Sequence, residues 1–289
     1  MYIIICSVMA KLLATDLDGT LFYPRQTRRC ISKKNQKFLR KWIDAGNRAV
    51  LVTSRSLDFL DRLKDELERP VDFLACSSSQ VMSDGKLLRE SYIPNETLKS
   101  ILKKIDDRYH PLGYMMTTKD YSLIIKKSRK VNFLFMLLYK LYWIFQFKYR
   151  EKYEMSNELF DKELNDGKVF KIMVIFGLGK SKKTLSKEIN KELRENFPNI
   201  EASWSEQVIE LTPKGCSKGE GLEYYCNTLN IDPKDVYVVG DSGNDIAMFT
   251  KFHENSYCMK HAFTSVRKYA KHTISRVYKL DKIVLEGEK

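Results

Sequence analysis

The 289-residue chain has only four histidines, which are scattered, and none of its six cysteines belongs to a Cys-x-x-Cys pair. These absences argue against a zinc site, which requires clustered His and Cys ligands. They also argue against a disulfide framework, so we expect reduced thiols and a cytoplasmic protein.

The chain is also short of acidic side chains: 37 Asp and Glu stand against 50 Lys and Arg, a formal net charge of +13. A basic excess is typical of nucleic-acid binding or of a surface that attracts anionic substrates. No RNP-type, zinc-finger or glycine-rich RNA-binding pattern accompanies the charge. We therefore expect no nucleic-acid partner and interpret the charge as a solvated surface that attracts anionic substrates.

Two aspartate motifs lie more than two hundred residues apart, and each directly follows a short apolar run. These are Asp16-Leu17-Asp18-Gly19-Thr20, after residues 11–15, and Gly240-Asp241-Ser242-Gly243-Asn244-Asp245, after residues 236–239. Open α/β sheets bind ligands at the carboxyl ends of their strands. Carboxylates that converge there repel one another unless a cation lies among them, and oxygen ligands without His or Cys favour Mg²⁺. The motifs predict a Mg²⁺-dependent phosphoryl-transfer enzyme.

The spacing of the first motif allows its two aspartates to take different roles in the hydrolysis of a phosphate monoester. Asp16 is expected to attack phosphorus and form an aspartyl-phosphate. Asp18 is expected to protonate the leaving oxygen and then to accept a proton from the attacking water. Gly19 allows a tight turn whose amides face the phosphate, and Asp241 completes the Mg²⁺ site.

Two further residues are predicted to hold the phosphate. Thr53 follows a predicted strand, residues 48–52, and Lys218 lies at the start of a predicted helix, residues 217–229. A hydroxyl, a cation and a helix N-terminus all favour a bound phosphate. A threonine or a lysine at such a position is common in proteins. What indicates a site is that both residues occur together with the two aspartate motifs, in a workable order along the chain.

The order of the predicted elements indicates two domains. Residues 11–83 alternate strands and helices, and this rhythm resumes near residue 207, which predicts a parallel sheet with helices on both faces. Residues 84–206 are predicted to form a separate α+β unit. We therefore expect a core domain of residues 1–83 and 207–289, with an inserted cap domain of residues 84–206 over the site.

Within the predicted cap, residues 131–147 are almost wholly apolar and have basic flanks. A transmembrane helix needs about 20 apolar residues, and a span here would put Asp16 and Lys218 on opposite sides of the membrane. The stretch is amphipathic, which favours a helix packed on the cap sheet. The alternative is an interfacial helix on anionic lipid, or a dimer contact.

Residues 1–8 lack the basic region of a signal peptide, and either extend the first strand or reflect an upstream start site.

These residues resemble the motifs of the haloacid dehalogenase superfamily of phosphatases. In motif order, the matching positions are Asp16-Leu17-Asp18-Gly19-Thr20-Leu21, Thr53, Lys218 within Ser217-Lys218-Gly219, and Gly240 through Asp245. The long insert between the second and third motifs resembles the type 2 cap of the Cof-like, type IIB branch. The resemblance implies an α/β fold, with a Rossmann-like parallel-sheet core and an inserted α+β cap domain.

The resemblance also implies roles for individual residues. Asp16 would be the nucleophile and Asp18 the acid/base. Mg²⁺ would be bound by Asp16, the backbone carbonyl of Asp18 and Asp241, and Asp245 would support the metal site through water or Lys218. The predicted metal residues are thus Asp16, Asp18, Asp241 and Asp245. The predicted substrate-binding residues are Gly19, Thr53, Ser54, Lys218 and Asn244.

Two departures from the family pattern bear on the substrate. Thr53-Ser54-Arg55 replaces the frequent Thr-Gly-Arg, and Ser77-Ser78-Ser79-Gln80 replaces the frequent Asn-Gly-Ala in a loop expected to face the cap hinge. The prediction is a Mg²⁺-dependent phosphatase for a small phosphorylated metabolite, such as a sugar phosphate. The alternatives are a phosphomutase-like phosphotransferase and a membrane-associated phosphate-binding adaptor, although an adaptor has no need of Asp18.

Overall fold

The computed structural model describes residues 10–26, 28–127, 151–177, 180–205 and 208–285. Residues 1–8 and 131–147, on which the sequence makes specific predictions, lie outside the described residues. The strands of the described part are, in chain order, β1 (Leu12–Thr15), β2 (Arg48–Val52), β3 (Asp72–Ala75), β4 (Gln80–Ser83), β5 (Lys86–Glu90), β6 (Gly113–Thr118), β7 (Ile124–Lys127), β8 (Val169–Ile175), β9 (Ile200–Ser205), β10 (Val208–Pro213), β11 (Val236–Gly240), β12 (Ser256–Met259) and β13 (His272–Ile274).

The α-helices of the same part are α1 (Lys33–Asp44), α2 (Asp58–Leu67), α3 (Asn95–Tyr109), α4 (Asn157–Asp166), α5 (Lys180–Asn196), α6 (Lys218–Thr228), α7 (Ile246–Lys251) and α8 (Thr264–Arg267). Within the described ranges, no helix combines the length and the apolar character needed to cross a membrane.

The central sheet has eight strands in the order β13-β12-β11-β1-β2-β3-β4-β5. The pairs from β13 to β3 are parallel, and β4 and β5 extend the edge as an antiparallel hairpin. All four residues of β1 are buried, as expected for a strand covered on both faces. Trp42 and Phe59 belong to one apolar cluster against the sheet, and Tyr225 and Phe249 to a second.

The strand order places the predicted motifs side by side. β1 pairs in parallel with β11 on one side and with β2 on the other. The residues that follow these three strands are Asp16, Asp241 and Thr53. Because the carboxyl ends of parallel strands meet at one edge of a sheet, three segments far apart in sequence converge there.

A second sheet forms the cap, with five antiparallel strands in the order β7-β6-β8-β10-β9. Its apolar cluster includes Leu98 of α3, Phe160 of α4 and Ile189 of α5. A mainly parallel α/β core with an inserted α+β cap is the predicted fold class, which is confirmed.

The structure differs from the prediction at both boundaries of the cap. β5 pairs with β4 in the central sheet, whereas β10 pairs with β8 and β9 in the cap sheet. The chain therefore passes between the sheets after Glu90 and after Pro213, rather than at 83/84 and 206/207. Asp84-Gly85 connects β4 to β5, and Asp-Gly between two strands is a strong hairpin signal. β10 lies in the cap because the backbone groups of β8 and β9 need a partner between them.

Candidate active site

Asp16 directly follows β1, and its carboxylate is buried at the carboxyl edge of the central sheet. Its backbone N–H donates to the Val239 carbonyl of β11 at 2.9 Å, which fixes the start of the turn. Oδ1 accepts a hydrogen bond from Lys218 Nζ at 2.7 Å. Oδ2 is buried and has no hydrogen-bond partner among the described residues. One oxygen of Asp16 is therefore held in place, while the other is available to react or to bind a cation.

The turn after Asp16 brings the first motif against the fourth. Gly19 has a φ of +81°, in the left-handed region that favours glycine. A side chain at this position would also overlap the carboxylate of Asp241. The hydroxyl of Thr20 donates to Asp241 Oδ1 at 3.0 Å. The Gly-Thr pair of the motif therefore allows the close approach and then fixes it.

Lys218 connects the third motif with the first and the fourth. The Ser217 side chain caps α6 by accepting a hydrogen bond from the Glu220 N–H at 3.2 Å, which sets Lys218 in the first turn. Lys218 Nζ donates to Asp16 Oδ1 and Asp245 Oδ1, both at 2.7 Å, and all three side chains are buried. Burial disfavours the ammonium charge, but the two carboxylates outweigh it and raise the pKa of Lys218.

Asp245 organises the loop of the fourth motif. Its Oδ2 accepts hydrogen bonds from the backbone N–H groups of Asp241 and Ser242, both at 2.9 Å. Its Oδ1 is bound by Lys218. Both oxygens of Asp245 are thus engaged by protein groups, an arrangement in which Asp245 would support a metal site through Lys218 and the loop.

One carboxylate oxygen from each of Asp16, Asp241 and Asp245 lies within 4.8 Å of the others, so these residues could hold a metal ion. Burial raises the pKa of Asp16 well above its usual range, and the charges of Asp245 and Asp241 add to the shift while Lys218 opposes it. Burial and the charge of Asp245 raise the pKa of Asp241 to about 7. Three ionised carboxylates would exceed the single positive charge of Lys218, so a further cation would favour their ionised forms. A hard cation fits this set of carboxylate oxygens.

The carboxylate of Asp18 is paired with Arg55 rather than with this cluster. Arg55 Nε donates to Asp18 Oδ2 at 2.6 Å and Nη2 to Oδ1 at 2.7 Å, a bidentate pair. The guanidinium also lies 4.2 Å from the ring centroid of Phe59. Desolvation opposes the charge on Asp18, but the hydrogen bonds and charge of Arg55 lower its pKa. Binding of a metal by the Asp18 backbone carbonyl stays a prediction.

The second motif contacts the fourth motif and the loop after β3. Thr53 is buried, and its Oγ1 accepts a hydrogen bond from the Arg55 N–H at 3.1 Å. Asn244 Nδ2 donates to Ser54 Oγ at 3.2 Å, and Ser54 Oγ lies 3.2 Å from Ser77 Oγ. The structure therefore brings together the predicted substrate-binding residues of both motifs.

Three charged residues beside these motifs have no role in the sequence prediction. Arg55 binds Asp18, and the cap residues Lys171 and Glu210 both contact Ser54. A signal was available for both cap residues: Lys171 is the one polar residue of β8, and Glu210 lies between Ile209 and Leu211 in β10. For Arg55 the only signal was its place two residues after Thr53, in a loop at a strand end.

The loop after β3 has a strained backbone. Cys76, Ser77 and Ser78 have φ values of 49°, 53° and 75°. Non-glycine residues rarely adopt this left-handed region, and each such residue costs about 1–3 kcal/mol. The Cys76 N–H donates to the Arg55 carbonyl and the Ser77 N–H to the Thr53 carbonyl, both at 2.9 Å. The strained loop is thereby attached to the second motif.

Helix α6 approaches this loop so closely that Gly221 is expected to tolerate no side chain. A Cβ at Gly221 would overlap both Cβ and Oγ of Ser78. We expect Gly221→Ala to lower the free energy of unfolding by about 3 kcal/mol, because overpacking forces the backbones apart. Ser78→Gly removes both overlapped atoms and suits a positive φ, so the double variant should recover most of the loss. Urea denaturation of all four proteins measures both effects, and a double variant as unstable as Gly221→Ala would contradict this contact.

The family model of the haloacid dehalogenase-like hydrolases matches residues 13–283 of the chain. This match covers all four motifs and both sheets, and the chain belongs to this family of hydrolases. The resemblance read from the motifs is therefore confirmed.

The chain is similar to a 5-amino-6-(5-phospho-D-ribitylamino)uracil phosphatase of Bacillus subtilis, with 25% identity over 256 residues that cover 83% of this chain and 84% of that protein. A solved structure of a subclass IIB sugar phosphatase is 18% identical with a TM-score of 0.73, covering 95% of this chain and 98% of its own. A protein from Plasmodium vivax, described as a Cof-like hydrolase, is 20% identical with a TM-score of 0.74 and 96% coverage of both chains. These solved structures show the fold, which is that of the predicted Cof-like, type IIB branch.

Proposed function

We propose that the protein is a Mg²⁺-dependent phosphatase that hydrolyses a small phosphorylated metabolite, such as a sugar phosphate, through an aspartyl-phosphate. The observation that carries this proposal is the buried carboxylate of Asp16. Lys218 fixes its Oδ1, and its Oδ2 has no hydrogen-bond partner among the described residues. A carboxylate oxygen held in this way is suited to nucleophilic attack on phosphorus.

In the first step, Asp16 Oδ2 forms a bond to phosphorus and the ester P–O bond breaks. Asp18 supplies a proton to the leaving oxygen, so the alcohol departs neutral. In the second step, Asp18 takes a proton from a water that attacks phosphorus, and the bond from phosphorus to Asp16 breaks. Inorganic phosphate and free Asp16 result, and Asp18 is again protonated.

The pairing of Asp18 with Arg55 bears on this cycle. Arg55 lowers the pKa of Asp18 and keeps it ionised. Asp18 must therefore leave Arg55 before it can carry a proton to the leaving oxygen. We propose that the pair describes the resting enzyme, in which Arg55 holds the acid/base beside the nucleophile.

A divalent cation would be held by Asp16 and Asp241, with the backbone carbonyl of Asp18 as the third predicted protein ligand and Asp245 in support. When bound, Mg²⁺ neutralises charge on the phosphoryl group and on the attacking carboxylate. Thr20 orients Asp241 by donating a hydrogen bond to its carboxylate, and Asp245 does so by accepting one from its backbone N–H. The phosphoryl oxygens would be held by Lys218, Thr53, Ser54, Asn244 and the amides of the turn at Gly19.

The relatives support a small phosphate ester as substrate. One acts on a phosphorylated ribitylaminouracil and another is a sugar phosphatase, and both names describe small phosphorylated molecules. A cap over the site closes around a small substrate and excludes water from the reaction. The cytoplasm is the proposed compartment, since none of the six cysteines of the sequence belongs to a Cys-x-x-Cys pair.

The test is a screen for phosphate release with Mg²⁺ present. The panel contains glucose 6-phosphate, ribose 5-phosphate, sorbitol 6-phosphate, glycerol 3-phosphate, AMP, pyridoxal phosphate and p-nitrophenyl phosphate. The proposal expects hydrolysis of at least one sugar or polyol phosphate. Absence of phosphate release from every ester would overturn it.

Removal of the metal is expected to stop the reaction. Charge neutralisation by a bound cation contributes several kcal/mol, so EDTA should lower the rate by at least about 100-fold. Excess Mg²⁺ should restore the rate, whereas excess Na⁺ at the same ionic strength should not. Full activity in EDTA would exclude the metal from the mechanism.

A further inference from the structure

Helix α1 and the segment before it carry a dense run of positive charge. Residues 25–41 contain eight Lys and Arg side chains and no Asp or Glu. Residues three or four apart on a helix lie on one face. In α1 this spacing aligns four cations, which we call the basic stripe: Lys33, Lys37, Arg40 and Lys41.

The basic stripe borders a hollow of about 950 Å³ on the surface of the core domain, which Arg29 also lines. Among the described residues, two carboxylates share this lining, Asp44 and Glu68. Both are already engaged by arginines, because Glu68 pairs with Arg40 at 3.1 Å and Asp44 pairs with Arg69 at 2.6 Å. None of these side chains belongs to the proposed active site, so the hollow is a separate feature of the core.

Lys33 and Lys37 are the cations that an anion in the hollow would meet. Both are exposed, and neither forms an ion pair with any residue that the structure describes. They lie four positions apart, and like charges at this spacing destabilise a helix. Lys33 also lies in the first turn of α1, which contains no acidic residue and where the helix dipole favours anions over cations. A bound anion would remove both unfavourable interactions, so these positions indicate a binding role.

We propose that the hollow binds a compact, soluble molecule that carries several phosphate groups. This inference does not depend on the proposed phosphatase activity. A concave surface lined mainly by charges of one sign concentrates ions of the opposite sign. Lysine binds phosphate as a point charge, and several phosphate groups on one molecule would meet several cations of the basic stripe at once. The volume of the hollow lies within the range of about 300–1,000 Å³ that small-molecule sites occupy.

The lining of the hollow favours this occupant over larger anionic partners. None of the described lining residues is aromatic, whereas single-stranded nucleic acids bind by stacking their bases on aromatic side chains. Protein interfaces depend on buried aromatic or other large anchors, and Ala45 is the one apolar residue of the described lining. A bilayer surface is too flat to fill a hollow. The complement of this site is therefore dense negative charge on a small molecule.

The first test is calorimetric titration of sodium tripolyphosphate, in metal-free buffer, into the wild-type protein and two double variants. Lys33→Gln/Lys37→Gln removes the two exposed lysines that have no ion pair among the described residues. Lys103→Gln/Lys162→Gln removes two exposed lysines of α3 and α4 in the cap, and is the matched control for net charge. We expect the dissociation constant to rise about tenfold in the first double variant and less than about twofold in the control.

Two results of this titration would overturn the inference. One is equal affinity in the two double variants, because the probe would then bind elsewhere, such as in the active site, or through net charge alone. The other is the absence of binding to the wild type. Both double variants should hydrolyse p-nitrophenyl phosphate at the wild-type rate, which shows that they are folded. If no ester is hydrolysed, the phosphatase proposal fails, and urea denaturation shows folding while the binding result stands by itself.

The second test asks whether a macromolecule or a membrane is the better occupant. A short RNA duplex and vesicles of phosphatidylserine with phosphatidylcholine are titrated into the same three proteins. We expect both to bind the wild type more weakly than tripolyphosphate does. Tighter binding of either one, lost in Lys33→Gln/Lys37→Gln and kept in the control, would overturn the assignment to a compact anion.

Discussion

Replacing Asp16 with asparagine is expected to reduce phosphate release by at least about 10⁴-fold, because the variant loses the nucleophile of the proposed reaction. The amide oxygen of asparagine is a poor nucleophile. Its NH₂ group would also have to face either the Lys218 ammonium or the metal site, since Oδ1 lies 2.7 Å from Lys218 Nζ. The measurement is phosphate release from the best substrate of the screen, with Mg²⁺ present.

The control for this prediction is Asp44→Asn, a carboxylate at the end of α1 that is paired with Arg69 at the surface. It should keep wild-type activity. Acid quenching followed by mass spectrometry adds a direct observation, because the phosphoryl adduct should map to the peptide that contains Asp16. If Asp16→Asn retains activity within tenfold of the wild type, the covalent mechanism is wrong.

The second large effect is expected on stability. Lys218→Met should lower the free energy of unfolding by about 3–5 kcal/mol, the usual result of removing one partner from a buried ion pair. Lys218 is the shared counter-ion of Asp16 and Asp245, and all three side chains are buried. Without the ammonium, two adjacent carboxylates would remain in a low-dielectric site with no cation between them.

Urea denaturation without metal measures this loss, and Lys214→Met is the matched control. The side chain of Lys214 is 66% exposed and pairs with Glu201 at 3.4 Å, so its removal should change stability by less than about 0.5 kcal/mol. Added Mg²⁺ should stabilise Lys218→Met, because a cation at the cluster replaces part of the missing charge. A loss below about 1 kcal/mol would show that the carboxylates are not held as charged groups.

The site was predictable to the extent that it depends on strand order. Asp16, Thr53 and Asp241 each follow an apolar run, and a parallel sheet must bring such positions to one edge. Lys218 was predictable because Ser217 and Glu220 mark the start of a helix. These patterns are local in the chain, so they can be recognised without knowing which strands pair in the sheet.

The partners of the charged side chains were not predictable in the same way. Asp18 is paired with Arg55 across 37 positions, and Glu210 reaches Ser77 across 133. Which cation meets which carboxylate depends on the approach of two surfaces, and propensity and periodicity carry no information about it. The same limit applies to β10, whose alternating residues suit either sheet and whose placement follows from the strands beside it.

The sequence by itself therefore determined the family, the α/β core with its inserted cap, and the residues that gather at the carboxyl edge of the central sheet. These features follow from local runs of apolar residues and from motifs at their ends. Only the tertiary structure decided that Arg55 holds Asp18, that Asp16 keeps one oxygen without a hydrogen-bond partner among the described residues, and that the cap brings Glu210 and Lys171 to Ser54. Those contacts join the cap to the core, or one loop to another, and they exist only after both sheets have formed and packed together.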